Sequence, residues 1–243
     1  TFVGAGDAAF ANAQVYHPEN ELEPLRRMKT FLDQQFAADG SGGFGGGLNN
    51  TDEEKEQIKA FMKLMYQKVD NGTVNVPPVT DNRDTATVGF ACEVLSEFKP
   101  AFSMVNLGGV DACHSNFSSY LSALHRADHA VGHLWNHIQS IPGMAGNTTL
   151  ILTPECGRNL QPNNILDEND WRAYDHSDEN SMRIFTMMAG PTVPQGLTVG
   201  GEDNPVGMVT DTMMTVCDLL GVMPEVQNAG YVHPGTDSLF NRI

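Results

Sequence analysis

The apolar residues at the start of the chain recur at helical spacing on either side of a glycine-rich stretch. A helix is predicted over residues 22–37, where leucine, methionine and phenylalanine recur every three or four positions. A second helix is predicted over residues 51–68, where Thr51 and Glu54 have the spacing of a capping box. The glycines at 39–47 are not followed by Lys-Ser or Lys-Thr, as a phosphate-binding loop requires, so a flexible linker is predicted there.

From residue 84 onward, short apolar runs alternate with helical stretches. Strands are predicted at 101–107, 148–154 and 183–191, and helices at 84–98, 116–139 and 211–222. This alternation predicts an α/β fold in which helices flank a largely parallel sheet. The predicted organisation is an irregular helical N-terminal region over 1–83, followed by an α/β core over 84–243. The two are predicted to form one continuous domain, in which a first strand of the core is not recognisable.

The net charge of the chain and the length of its apolar stretches exclude some classes of binding partner. The 243 residues include 14 Lys and Arg against 30 Asp and Glu, a formal net charge of −16. A surface this acidic repels nucleic acid and anionic lipid, so neither is expected as a partner. No stretch approaches the roughly 18 apolar residues needed to span a bilayer. The four cysteines form no Cys-x-x-Cys pair, which argues against a zinc ribbon but indicates no redox compartment.

Polar side chains follow the predicted strands at three places. In α/β sheets, functional residues gather in the loops after the carboxyl ends of strands, so we expect these side chains to converge. Carboxylate, imidazole and thiolate groups are ligands for divalent transition metals. Each residue also has an ordinary alternative, because a loop aspartate commonly caps a turn, a glutamate pairs with an arginine and a cysteine is an inert buried thiol. The residues are Asp111 and His114, then Glu155, Cys156 and Arg158, then Asp175 and His176.

The order of these motifs resembles that of the alkaline phosphatase superfamily, and most nearly an uncharacterised bacterial sulfatase-like branch. The resemblance covers about residues 84–222. Its segments are GGVDACHSN at 108–116, LILTPECGRN at 150–159, YDHSDEN at 174–180, IFTMMAGPTVPQG at 184–196 and TDTMMTVCDLLGV at 210–222.

The resemblance implies a metal-dependent hydrolase of phosphate or sulfate esters, or a truncated piece of one. It makes Asp111, His114 and His176 ligands of one divalent metal (zinc, manganese or calcium), with Asp175 beside them. Two further roles are implied, a second metal at Glu155 and an oxyanion bound by Arg158. The implied substrate is an anionic small-molecule ester, and the implied location is periplasmic or extracellular.

The sequence departs from the superfamily in two respects. No strand ending in a metal-binding aspartate with a nearby nucleophile is recognisable in residues 1–83. Glu155 and Cys156 also stand where the superfamily has an Asp-His pair. These departures keep two alternatives open. One is a non-catalytic structural or assembly subunit of a cell-surface or periplasmic complex, and the other is a cation-binding module.

Four histidines recur at every fourth residue of the long helix predicted over 116–139. A helical wheel places them opposite its large apolar residues, and Asp128 near the apolar side. The histidines are therefore predicted to face solvent or a partner protein. A contact with a partner would depend on pH, because histidines gain charge at about pH 6. A metal-binding stripe is a further alternative. They are His125, His129, His133 and His137, and the apolar residues opposite are Leu121, Leu124, Val131, Leu134, Trp135 and Ile138.

Overall fold

The computed structural model describes residues 2–4, 51–77, 83–230 and 232–243. The helix predicted at 22–37 and the linker predicted at 39–47 lie outside the described residues. The chain forms two compact units. The first unit runs to Ala145 and includes Ile165–Ala173, and the second unit contains Gly146–Asn164 and Tyr174–Ile243.

The first unit is mainly helical. Its regular elements in chain order are β1 (Phe2–Gly4), α1 (Asp52–Asp70), α2 (Arg83–Phe98), β2 (Met104–Asn106), a 3-10 helix (Gly109–His114) and α3 (Phe117–Ser140). The second unit is more irregular. Its elements are β3 (Leu150–Leu152), a 3-10 helix (Glu179–Met182), β4 (Met187–Ala189), α4 (Asp211–Leu219), α5 (Met223–Asn228) and a 3-10 helix (Leu239–Asn241).

Helix α1 begins at the predicted capping box. The Thr51 hydroxyl accepts a hydrogen bond from the Glu54 backbone N–H at 3.2 Å, and the Glu54 carboxylate accepts one from the Thr51 N–H at 2.7 Å. Two N–H groups that the helix leaves unpaired at its start are thereby satisfied. On the inner face, Phe61 packs edge-on against Phe98 of α2 with ring centroids 5.0 Å apart.

Helix α2 forms the centre of the first unit. Val88, Ala91 and Cys92 are at most 1 % exposed, and most of the remaining helix is buried as well. Up to Leu95 none of its described side chains is exposed, which agrees with its run of small and apolar residues. At Gly89 a Cβ atom would stand 2.8 Å from Cγ1 of Val76, so glycine permits the segment before α2 to pass close to it.

The strands form two separate pairs. Strands β1 and β2 are parallel, with Phe2 opposite Met104, whereas β3 and β4 are antiparallel, with Leu150 opposite Ala189. Strand β1 precedes residue 84 but was not predicted from the sequence. Its three residues are too few for a periodicity to show in the sequence. In the described residues no larger parallel sheet is present, and the alkaline-phosphatase-like α/β fold stays a prediction.

The buried face of α3 matches the predicted apolar side only in part. Ala123, Ala130, Leu134 and Ile138 are buried, whereas Leu121, Leu124 and Asp128 are exposed. Leu134 and Ile138 are buried as predicted, but the prediction for Leu121 and Leu124 was wrong. It weighed the large apolar residues and overlooked the alanines, whose small side chains allow another helix to pack closely.

The four histidines of α3 also do not share one environment. His125 and His129 are exposed, whereas His133 and His137 are half-buried. A step of four residues turns a helix by about 40° more than a full turn, so three steps rotate the side chain by roughly 120°. His137 reaches α2, where its Nε2 lies 3.0 Å from the Cys92 carbonyl oxygen and 2.8 Å from the Ser96 hydroxyl.

No helix in the described part of the chain is both long and apolar enough to cross a membrane.

Candidate functional site

The loop that carries Asp111 and His114 is fixed by a buried aspartate. Asp84, in the first turn of α2, is 1 % exposed. Its two carboxylate oxygens accept hydrogen bonds from the N–H groups of Gly108 and Gly109, each at 2.9 Å. A Cβ atom on Gly109 would lie 2.5 Å from the Asp84 carboxylate, so the glycine is needed for this close approach.

Asp111 and His114 lie side by side at the end of this loop. They are three residues apart in the 3-10 helix, where such spacing places side chains one above the other. The Asp111 Oδ1 atom lies 3.2 Å from His114 Nε2, and the Asp111 side chain is 71 % exposed. At this distance the two side chains are within hydrogen-bond reach of each other. Two ligand atoms of one metal ion, bound at about 2.0–2.2 Å, are also roughly 3 Å apart.

Helix α3, which follows the loop, has its first turn anchored by two polar side chains. Asn116 caps the helix by accepting a hydrogen bond from the Ser119 N–H at 2.7 Å. The Asp167 carboxylate accepts hydrogen bonds from both the N–H and the hydroxyl of Ser118, at 2.8 and 2.7 Å. Burial alone would raise the pKa of Asp167, but these bonds and those from the Trp171 and Asn169 N–H groups hold that pKa at about 2.

In the second unit, the loop after β3 is bound to the loop that leads toward β4. Asn159 joins them, because its side-chain oxygen accepts hydrogen bonds from the N–H groups of Ser177 and Asp178, at 2.6 and 2.8 Å. The Asn159 N–H donates to the Asp175 carbonyl oxygen at 2.8 Å. The segments around Glu155–Arg158 and Asp175–His176 are therefore neighbours, as their positions beside predicted strands suggested.

Gly157 allows the two loops of the second unit to meet. Its N–H donates to the Ser181 carbonyl oxygen at 2.6 Å. A Cβ atom at this position would lie 2.5 Å from the Arg183 carbonyl oxygen and 3.2 Å from that of Asn180. Since such distances exclude a larger side chain, the Glu-Cys-Gly-Arg motif has its glycine for a structural reason.

The predicted site residues of this unit differ in exposure. Glu155 and His176 are exposed, whereas Cys156, Arg158 and Asp175 are half-buried. The Cys156 sulfur lies 3.8 Å from a Glu155 carboxylate oxygen. The Asp175 carboxylate accepts a hydrogen bond from the Asn163 side-chain amide at 3.2 Å. Glu155 and His176 thus present a carboxylate and an imidazole to solvent from two loops that are bound together.

The candidate ligands belong to different units. Asp111 and His114 lie in the first unit, and Glu155, Asp175 and His176 in the second. Within the described residues, no three His, Cys, Asp or Glu side chains are grouped so that they could hold a metal ion. The ligand set of Asp111, His114 and His176 stays a prediction.

Three residues that hold the loops in place were not predicted from the sequence. They are Asp84, Asp167 and Asn159. Asp84 had a recognisable signal, because an aspartate in the first turn of an apolar helix is a frequent partner for backbone N–H groups. Asp167 and Asn159 had none, since each bonds to a segment 18 or more residues away in the chain.

No family model matches the chain, and neither the curated proteins nor the solved structures include a significant match.

Proposed function

We propose that the chain is a metal-dependent hydrolase of phosphate or sulfate esters. The observation that carries this proposal is the Asp111–His114 pair, in which a carboxylate oxygen and an imidazole nitrogen lie 3.2 Å apart. The backbone of their loop is fixed by the buried Asp84 carboxylate. A ligand pair held on a fixed backbone binds a metal with little loss of conformational entropy.

In the proposed site, Asp111 and His114 of the first unit bind a divalent metal. His176 and Asp175 of the second unit keep the role of further ligands only as the resemblance to the alkaline phosphatase superfamily implies it. Glu155 is proposed as a ligand of a second ion. A bound divalent ion polarises an ester oxygen and lowers the pKa of coordinated water. Zinc and manganese suit the mixture of imidazole and carboxylate, and calcium suits the carboxylates alone.

Arg158 is proposed to bind the substrate rather than the metal. Its planar guanidinium matches the tetrahedral oxyanion of a phosphate or sulfate ester through two parallel hydrogen bonds. The half-buried position of Arg158 supports this role, because partial exclusion of water strengthens an ion pair with an anionic substrate. The resemblance to the alkaline phosphatase superfamily further supports a periplasmic or extracellular location for this activity.

The activity is tested with aryl phosphates and aryl sulfates in the presence of zinc, manganese or calcium. Hydrolysis by the wild type is expected with at least one metal. The D111A variant is expected to lose at least about 100-fold in kcat/KM, since it lacks a direct metal ligand. The exposed D128N variant is the control and should retain the wild-type rate. Correctly folded protein that hydrolyses neither ester with any of these metals would contradict the proposal.

A non-catalytic assembly subunit is the second candidate function. In the second unit, the side chains of Met182, Phe185 and Met187 are 76, 55 and 58 % exposed. Met187 begins β4, and the other two lie in the segment that leads to it. Several large apolar side chains exposed within one short segment favour a protein interface. Native mass spectrometry distinguishes the two functions, because an assembly subunit forms a defined complex without hydrolysing either ester.

A further inference from the structure

The exposed half of α3 carries two histidines that touch each other. His125 and His129 are four residues apart, a spacing that places side chains on one face of a helix. Their ring centroids are 4.6 Å apart, and the ring planes are inclined by 73°. Both residues are exposed, unlike His133 and His137 further along the helix.

The separation of the rings suits one class of metal ion. A nitrogen–metal bond of about 2 Å places an ion roughly 3 Å from the centre of each ring. Two imidazoles bound at a right angle then have centres roughly 4.5 Å apart, close to the separation seen here. Right-angle coordination is the preference of Cu²⁺ and Ni²⁺, whereas tetrahedral Zn²⁺ requires a wider angle.

We propose that His125 and His129 form a chelating site for Cu²⁺ or Ni²⁺ on the exposed face of α3. Rotation of the two exposed rings about their Cβ–Cγ bonds turns a nitrogen of each toward the ion. The remaining coordination positions are filled by water or by donor atoms of another molecule. This site is separate from the proposed ester-hydrolase site, because neither histidine belongs to the loops that carry Asp111 or His176.

Binding should also stabilise the helix. The ion connects consecutive turns of α3 only while that segment is helical, so it binds the folded state in preference to the unfolded state. The helix also contributes Ala130, Leu134 and Ile138 to the buried part of the first unit. Ni²⁺ is therefore expected to raise the melting temperature of the whole first unit.

The site is tested by titrating the protein with CuCl₂ and recording electron paramagnetic resonance spectra together with isothermal calorimetry. The wild type should show a Cu²⁺ ion with two nitrogen donors. In metal sites generally, removing a side chain that only hydrogen-bonds to a metal ligand weakens metal binding about 10–100-fold. Loss of a direct ligand in H129A should therefore weaken it by at least about 10-fold, and the H125A/H129A double variant should lack the two-nitrogen signal.

Two controls separate this site from other histidines. H233A removes an exposed histidine of the second unit and should leave the two-nitrogen signal unchanged. D111A/H114A should also leave it unchanged, whether or not these residues bind a catalytic metal. An unchanged Cu²⁺ affinity and nitrogen count in the folded double variant H125A/H129A would overturn the proposal. So would loss of the two-nitrogen signal in D111A/H114A alone.

Discussion

At the scale of single residues, three buried aspartates determine the position of neighbouring chain segments. Asp84 and Asp211 are at most 1 % exposed, and Asp167 is 9 % exposed. Each accepts at least two hydrogen bonds from backbone N–H groups near the start of a helix or loop. A buried carboxylate is costly unless such bonds satisfy its oxygens. Some of the acidic side chains therefore stabilise the fold instead of adding charge to the surface.

Asp167 gives a pH-dependent prediction. Its folded pKa of about 2 lies below the ordinary value of 3.8, so the ionised carboxylate stabilises the fold. That stabilisation is fully present above about pH 4 and is lost as the pH falls through about 2. The D167N variant should be less stable than wild type near pH 6, and the difference should narrow toward pH 2. Urea unfolding at several pH values measures this difference.

The exposed D128N variant, on the same helix as Ser118, is the control for D167N. Its stability should stay within about 0.5 kcal/mol of wild type at every pH. A stability difference for D167N that is equally large at pH 6 and pH 2.5 would show that the charge of Asp167 does not contribute as described.

At the scale of elements, two glycines differ in whether the surrounding structure leaves room for a side chain. Gly109 lies at the start of a 3-10 helix, where a Cβ atom would meet the Asp84 carboxylate at 2.5 Å and the Ala123 side chain at 3.3 Å. Gly132 lies within α3, where a Cβ atom would have no neighbour within 4 Å. The first position therefore requires glycine, whereas the second only weakens its helix.

Alanine substitutions at these glycines should have effects of opposite sign. G109A should lower the free energy of unfolding by about 1–3 kcal/mol, because the added methyl group overlaps a buried carboxylate. G132A should raise it by about 0.5–1 kcal/mol, because alanine loses less backbone entropy in a helix. Chemical denaturation measures both changes. Equal destabilisation by the two substitutions would contradict the packing described around Asp84.

The helices were easier to predict from the sequence than the strands. The helix predicted over 51–68 is observed over Asp52–Asp70, and that predicted over 116–139 over Phe117–Ser140. Their periodicity and caps are local signals. The strand predicted over 101–107 is only Met104–Asn106 in the structure, because strand pairing depends on a partner that is distant in the chain. The buried face of α3 was predicted only in part for a similar reason, since alanines become part of a core only when another helix packs on them.

The loop pairings of the candidate site were only partly predictable. The neighbourhood of Asp111 and His114 followed from their spacing, and Glu155–Arg158 and Asp175–His176 were expected to be close as loops beside strands. Of the residues that hold these loops, Asp84 had a local signal as an aspartate in the first turn of a helix, whereas Asn159 makes contacts across a stretch of sequence that no local pattern records. A single sequence therefore indicates the candidate ligands better than the groups that position them.

At the scale of the whole molecule, a buried ion pair in the second unit joins the end of the chain to α4. The guanidinium of Arg242 contacts both carboxylate oxygens of Asp211, at 2.6 and 3.0 Å, and donates to the Gly235 carbonyl oxygen. Burial would raise the pKa of Asp211, but the Arg242 side chain and the Asp237 and Met208 N–H groups lower it.

Removal of Arg242 should destabilise the second unit strongly. R242A leaves the buried Asp211 carboxylate without its cation, and breaking a buried pair in this way costs about 3 kcal/mol. The matched control is R183A, which removes the exposed ion pair with Glu202 and should cost less than about 1 kcal/mol. Thermal and urea unfolding compare the two variants. Similar stabilities for R242A and R183A would contradict the anchoring role of Arg242.

The proposed hydrolase depends on a metal bound at Asp111 and His114, and metal content measures this most directly. Protein equilibrated with zinc or manganese and then freed of excess metal should retain about one equivalent or more by mass spectrometry. The D111A and H114A variants should lose about one equivalent, whereas the H125A/H129A variant should retain the ion at the proposed active site. Wild-type protein with less than about a tenth of an equivalent, or D111A and H114A variants that retain the wild-type amount, would contradict the proposed function.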